Sequence, residues 1–460
     1  MTSLTIKDAT VVKPTGRSRS TIHIDDGVVR ALLPPGEAPA ADRIVDARGA
    51  FVLPGVIDAH VHLGVIPTFA DSCRTESAAA VTGGVTSMWH YLLSPGSFHD
   101  VYQQHVDDVE ANSLVDIGFH ALVTNSQQVA EIPECVDELR ITSYKFHMAM
   151  KGPEAAYGIK GLDDGSIFEG MRQVANRSGV MALIHAENID VILHNRERAK
   201  AKAPNATETA TWSKHRPHFT EEEAIVRSTI LAENAGAPLG VVHTSVGSGP
   251  ELIRRARARY PHLYMETCPQ YLILDMDMPL GTWGKVNPPL RTKSDQELLW
   301  AGLADGTIDW MGSDHCDYDL ASRDGNIWDV GPGLPNGMTM ILPVLLSEGV
   351  NKGRLPLERV VELTSARFAK LMGVSPRKGG IEVGSDGDLV IVDLAKRVRV
   401  ETGMLNSYAD YSPYEGMELT GWPRMTVVGG EILYEDGKVD RDTSHRGLVI
   451  TRQPDNKPVL

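Results

Sequence analysis

Pro54-Gly-Val-Ile-Asp-Ala-His60-Val-His62 is an apolar run that follows a Pro-Gly break and ends in two histidines two residues apart. On a strand, side chains at i and i+2 share a face, so His60 and His62 converge on one point at the strand's end. Two convergent neutral imidazoles are half a site for zinc or a similar metal. Pairs with this spacing are common by chance, so the reading depends on whether the rest of the chain supplies further ligands.

Outward from that strand the chain repeats one texture. Seven more β-rich runs follow: VTSMWHY (85–91), DIGFHALV (116–123), SYKFHMA (143–149), MALIHAE (181–187), PLGVVHTS (238–245), LYMETCPQY (263–271) and DWMGSDHC (309–316). Helical stretches fit between them. One is 219–236, where Thr220 is the expected N-cap, acidic residues fill the first turn and Gly236 closes the helix. Strands alternating with helices in this number predict a (β/α)8 TIM barrel, whose active site lies at the C-terminal strand ends. Short alternating strands flank it: LTIKDATVV, STIHIDDGVVRAL and RIVDARGAFVLPG early, GGIEVGSDGDLVIVDL and MTVVGGEILYEDGKV late. The expected α/β architecture is a barrel (54–376) inserted in a small β-sandwich built from both chain ends (1–53 and 377–440). The polar stretch 441–460 is expected to pack outside the core as a C-terminal extension.

The bulk composition narrows the function classes. A length of 460 residues suggests about three domains on average, but barrels commonly run past 250 residues as one unit. Hydrophobic content of 42% and charged content of 23% are ordinary for a globular protein. A net charge of −15 argues against nucleic acid or an anionic membrane as partner. No apolar run reaches the ~18 residues of a spanning helix, and MTSLTIKDATVVKPTG lacks a signal peptide's apolar segment. Cys73, Cys135, Cys268 and Cys316 are scattered without CxxC spacing, which suits a reducing compartment. The expected location is the cytoplasm.

Ligand-type residues recur near the ends of the strands: His60 and His62 on the first, Lys145 on the fourth, His185 on the fifth, His243 on the sixth, Asp314 on the eighth. Taken singly, a buried His or Asp is more often a hydrogen-bonded structural residue than a ligand. Together at one barrel mouth, four imidazoles and a carboxylate require a cation. Lys145 is the odd member, because an ammonium has no lone pair and repels metal ions. Reaction of its amine with carbon dioxide removes the conflict, giving an N-carboxylated lysine whose two oxygens can bridge two divalent ions. Two such ions, one carbamate, one Asp carboxylate and a hydroxide then balance, with zinc the expected metal.

This constellation resembles the amidohydrolase superfamily, and within it the hydantoinase and dihydropyrimidinase branch of cyclic amidases. The resemblance spans nearly the whole chain. It rests on PGVIDAHVHLG (54–64), SYKFHMAMKG (143–152), IHAEN (184–188), VVHTS (241–245), ETCPQYL (266–272), VNPPLR (286–291), GSDHCDY (312–318), PNG (335–337) and the long segment 347–394. It implies His60, His62, Lys145 and Asp314 on one metal, and Lys145, His185 and His243 on the other. It further implies that backbone groups at Asn287 and Asn336 hold a small cyclic amide or ureide, that Asp314 shuttles the proton, and that the chain forms a homo-oligomer, a tetramer or a dimer. The expected activity is hydrolytic ring opening of a cyclic amide, imide or ureide. An allantoinase, or a hydrolase of another substituted heterocycle, is the alternative on the same fold. A dihydropyrimidinase-related scaffold protein is the non-enzyme alternative, disfavoured because every ligand position is filled.

Three departures from the family bear on substrate. Gly64 stands where dihydroorotases carry a carboxylate-gripping arginine. Met150 stands where hydantoinases place an oxyanion-stabilising tyrosine, and a thioether cannot donate a hydrogen bond. His147 replaces a bulky apolar residue that gates the substituent of the substrate. His147, Tyr157, His90 and Tyr91 are the candidate replacement donors, and ordinary drift of the loop is the competing explanation.

Overall fold

The computed structural model describes residues 3–155 and 161–452. Eight parallel strand positions form a ring: Val56–His62, Val85–Leu92, Asp116–Leu122, Ser143–His147, Met181–His185, Leu239–Val241, Leu263–Thr267, and an eighth split into Trp310–Met311 and His315–Cys316. The first half of the split strand pairs with the seventh strand, Glu266 opposite Trp310, and the second half with the first, His315 opposite Val61. The second and third strands are buried at every position, which is why they read as continuous apolar runs.

Several strands stop short of the expected spans, and the chemistry sits where they stop. The sixth ends at Val241 rather than running to 245, because His243 adopts a left-handed backbone (φ 40) that takes it out of the ladder. Asp314, at the break in the eighth strand, does the same (φ 52). Non-glycine residues in this region cost of order 1–3 kcal/mol and persist where surrounding structure fixes them. The helix expected at 219–236 spans His218–Ala235 and closes at Gly236 (φ 73) as expected. Thr220 is not its N-cap: that position is Pro217, and the Thr220 hydroxyl donates to the Pro217 carbonyl from inside the first turn.

The chain-end strands form a separate mixed sheet of nine strands. The two ends join where Phe51–Pro54 runs antiparallel to Leu389–Arg399. Hydrogen bonding is continuous through all nine strands. Val29 and Val427, far apart in strand order, share one core with Ile6, Ile24 and Ile391, so the expected sandwich is a single sheet curled over its own interior.

The tail differs from expectation. Val449–Ile450 pairs in parallel with Ile117 and Gly118 of the third barrel strand, and Ile450 is buried. There is room because the fourth strand pairs with the third only at Ala121 and Leu122. The barrel's N-terminal end is open there, and the tail fills the gap. Residues 453–460 of the expected extension lie outside the described residues.

Sheet, barrel and tail meet at one buried ion cluster. Lys378 Nζ lies 2.5 Å from Asp116, 2.5 Å from Asp388 and 2.8 Å from Asp386. Asp116 also accepts the Leu448 N–H, and Asp388 accepts the Gly429 N–H. Burial opposes the Lys378 charge, but the three carboxylates outweigh it and raise its pKa above the ordinary lysine value. Removing one partner of a buried ionic cluster leaves uncompensated charge and typically costs ~3–5 kcal/mol. Lys378→Met is therefore expected to lower the urea midpoint of unfolding by that equivalent, with the barrel mouth unaltered. A midpoint equal to wild type would show that the cluster contributes nothing to holding the three parts together.

Candidate metal centre and substrate cavity

The ring of strands delivers side chains from six different positions to the C-terminal mouth. His60 Nε2, His62 Nε2 and Asp314 Oδ1 form a triangle with sides of 3.2, 3.1 and 3.3 Å. A four-coordinate metal with bonds of ~2.0–2.1 Å places its ligand atoms about 3.3–3.4 Å apart, so the triangle matches one face of such a centre. The remaining nitrogen of His60, Nδ1, is 2.8 Å from Glu266 Oε1. Glu266 is itself fixed by the His243 N–H and the Trp310 indole N–H. An imidazole that donates to a carboxylate from one nitrogen presents a lone pair at the other, the usual orientation of a metal-binding histidine.

A second group lies beside the first. His185 Nδ1 is 3.0 Å and Lys145 Nζ 3.4 Å from His243 Nε2, and the His60 and His243 ring centroids are 5.2 Å apart. His243 Nδ1 is buried with no partner among the described residues. The outer nitrogen of His185 is held at 2.7 Å by Glu187. Glu187 is gripped by Arg216 through Nε (3.0 Å) and Nη2 (2.6 Å). Arg216 continues to Glu154 (2.9 Å), and Glu154 to Arg196 (2.5 Å). This alternating chain of buried charges ties His185 to the segment after the fourth strand.

Burial and the nearby carboxylates act in opposition on the charge of these groups. Burial opposes protonation of His60, but the Glu266 and Asp314 carboxylates outweigh it and raise its pKa. Burial likewise opposes the Asp314 charge, yet His60 and His62 outweigh it and hold its carboxyl well below the usual range. Burial lowers His62, and lowers His243 well below the ordinary imidazole value, keeping lone pairs available. Burial also lowers Lys145 to about 8 despite the raising influence of Glu266 and Asp314. Lys145 is 3% exposed, with Nζ over the Tyr91 ring and no carboxylate within ion-pair distance among the described residues. A buried ammonium without such a partner is costly, and the lowered pKa makes more accessible the neutral amine, the form that reacts with carbon dioxide. The donor set therefore fits two divalent ions.

A cavity of about 330 Å³ opens above this group. His62, Lys145, His185, His243 and Asp314 line it together with His147, Met150 and Asn287. The Asn287 Oδ1 accepts the Trp212 indole N–H, which fixes that side chain in the wall. Asn336 is not on the wall. It is fully buried behind it (φ 66), its N–H committed to His315 Nδ1 and its side-chain amide donating to the Tyr411 carbonyl. Of the four candidate replacement donors, Tyr157 lies outside the described residues. Tyr91 packs against His60 (4.4 Å between centroids) with its hydroxyl buried and unpartnered, and His90 packs against Phe69. His147 stacks on His185. Glu266, Glu187, Arg216 and Glu154 were given no role by the sequence reading. Their signal was partial, since Glu266 and Glu187 stand in the ETCPQYL and IHAEN motifs, whereas Arg216 and Glu154 stand in none.

Imidazoles, a carboxylate and an amine gathered at the C-terminal mouth of a parallel barrel define a hydrolase of the metal-dependent barrel class. Residues 51–433 match the amidohydrolase family, and the chain belongs to it. A D-phenylhydantoinase of Escherichia coli is 35% identical over 471 residues, covering 99% of each chain. Among solved structures, a dihydropyrimidinase from Brevibacillus agri superposes with a TM-score of 0.90 at 30% identity, covering 98% of both chains. An L-hydantoinase (dihydropyrimidinase) from Arthrobacter aurescens does so with a TM-score of 0.89 at 32% identity, covering 98% of this chain and 100% of the other.

Proposed function

We propose that this protein hydrolyses the C–N bond of a cyclic amide or ureide, opening the ring, as a binuclear-metal amidohydrolase of the hydantoinase type. The observation that carries the reading is the pair of adjacent clusters, His60–His62–Asp314 and Lys145–His185–His243, at the floor of a substrate-sized cavity. The first would hold one divalent ion and the second the other, with Lys145 shared as its carbamate. Zinc suits the imidazole-rich set. The carbamate forms when the neutral amine attacks carbon dioxide, making an N–C bond and releasing one proton. Bound ions would supply an acidified water and a polarised carbonyl.

The chain's own residues do the rest. Asp314 takes the proton as the water oxygen bonds to the carbonyl carbon, and returns it to the ring nitrogen as the C–N bond breaks. The product carries a carboxylate at one new end and, at the other, an amine from a cyclic amide or a ureido nitrogen from a cyclic ureide. Glu266 and Glu187 keep His60 and His185 in the tautomers that present lone pairs. Asn287, in the cavity wall, would hold the amide edge of the substrate. We place the enzyme in the cytoplasm as a homo-oligomer. Among the described residues no helix is long and apolar enough to cross a membrane.

Elemental analysis of protein expressed in metal-supplemented medium is expected to find close to two divalent ions per chain. Metal-replete enzyme is expected to open at least one ring in a panel of hydantoins, dihydropyrimidines, allantoin and cyclic imides, and a chelator to abolish that turnover. Metal-free protein with full turnover would overturn the reading, as would metal-loaded protein inert on the whole panel.

A further inference from the structure

Ring opening by water attack builds negative charge on the substrate's carbonyl oxygen, and a fixed hydrogen-bond donor aimed at that oxygen is worth a large part of the rate. Met150, in the cavity wall, has no proton to give. Tyr91 also lines the cavity, but its ring packs against His60 and its hydroxyl is buried. His90 uses Nδ1 to accept the Leu63 N–H and turns its ring toward Phe69 and His105. His90 and Tyr91 line the cavity as well, but His147 ends the strand that carries Lys145, two residues beyond it, half-buried and in the cavity wall.

Its tautomer is fixed by the backbone. The Ala149 N–H donates to His147 Nδ1 at 3.1 Å. An N–H can donate only to a lone pair, so Nδ1 is unprotonated and the proton resides on Nε2. No described residue accepts from Nε2. The ring lies parallel to that of His185, with centroids 3.7 Å apart and planes 16° apart, so the whole imidazole is in contact with a residue of the reacting centre. His185 is itself locked by Glu187 and Arg216, which makes it a rigid platform for the stack.

Resting on the ring-opening reading above, we propose that His147 is a catalytic residue whose Nε2–H donates to the carbonyl oxygen of the substrate as that oxygen becomes an oxyanion. Water oxygen bonds to the carbonyl carbon, the C=O π pair moves onto oxygen, and the His147 proton is shared but not transferred. When the C–N bond breaks, the pair returns to re-form C=O and the leaving nitrogen takes its proton from Asp314. His147 ends as it began. The chemistry selects substrates whose scissile carbonyl faces the His147 wall.

The deciding comparison is His147→Gln against His147→Met in metal-replete enzyme, on whichever ring the wild type opens. The two replacements are similar in length and flexibility, but only the amide donates. With metal content equal to wild type, His147→Met is expected to lose kcat by about 10²–10³ with little change in KM. His147→Gln is expected to keep kcat at least roughly tenfold above His147→Met. Equal kcat in the two variants, or wild-type kcat in His147→Met, overturns the proposal. A crystal structure of the wild-type holoenzyme with a phosphinate mimic of the tetrahedral intermediate decides it independently of any variant. A phosphinyl oxygen within hydrogen-bond distance of His147 Nε2 supports the role, and an Nε2 that makes no such contact refutes it. A wild type inert on every ring is a failure of the ring-opening reading itself.

Discussion

Lys145→Ala is expected to strip the protein of most of its metal and reduce turnover by about four orders of magnitude. Among the described residues Lys145 is buried with no carboxylate at ion-pair distance, and its Nζ is 3.4 Å from His243 Nε2. A lysine serving only to pack would bury its stem and carry its charge to solvent, which this one does not. As a carbamate it would be the one ligand common to both clusters, so its loss would weaken both ions together. Generating the nucleophile and polarising the carbonyl are each worth several kcal/mol, and 1.36 kcal/mol is a factor of ten. The combined loss should therefore be on the order of 10⁴ in kcat. Acetate or propionate, diffusing into the space left by the side chain, should restore part of the metal and part of the rate by supplying two oxygens. Circular dichroism equal to wild type would exclude unfolding as the cause. A Lys145→Ala protein that retains two ions and full turnover would remove Lys145 from the centre.

The sequence carried more of the fold than of the wiring. Periodicity and turn residues located all eight barrel strands, because each parallel strand is covered on both faces and must be apolar throughout. The same logic located His60, His62, Lys145, His185, His243 and Asp314, since a polar residue interrupting such a run near its end stands out. Strand ends were overestimated at His243 and Asp314, where left-handed backbone removes a residue from the ladder without changing the residue types around it. The tail strand was invisible because Val449–Ile450 is two residues long and its pairing depends on a gap between other strands. The Glu187–Arg216–Glu154 chain was invisible for a different reason. Its members are 29 and 62 residues apart in sequence, and salt bridges between distant charges leave no periodic trace.

Asp314→Asn is expected to separate holding metal from moving protons. The Asp314 Oδ1 is 3.1 Å from His60 Nε2 and 3.3 Å from His62 Nε2, so it would share their ion, while its side chain also lines the cavity that would hold the scissile bond. An amide oxygen can still coordinate, though it carries no net charge, so the variant should bind less metal than wild type and more than Lys145→Ala. It cannot accept the proton of the attacking water or return it to the ring nitrogen. General acid–base catalysis of this kind contributes about 10²–10⁴-fold, and kcat should fall by that factor even at saturating metal. Adding zinc to the assay distinguishes the two losses, because occupancy responds to concentration and proton transfer does not. If saturating zinc restores wild-type kcat, Asp314 is a ligand alone, and some other group at the cavity mouth carries the proton between water and the departing nitrogen.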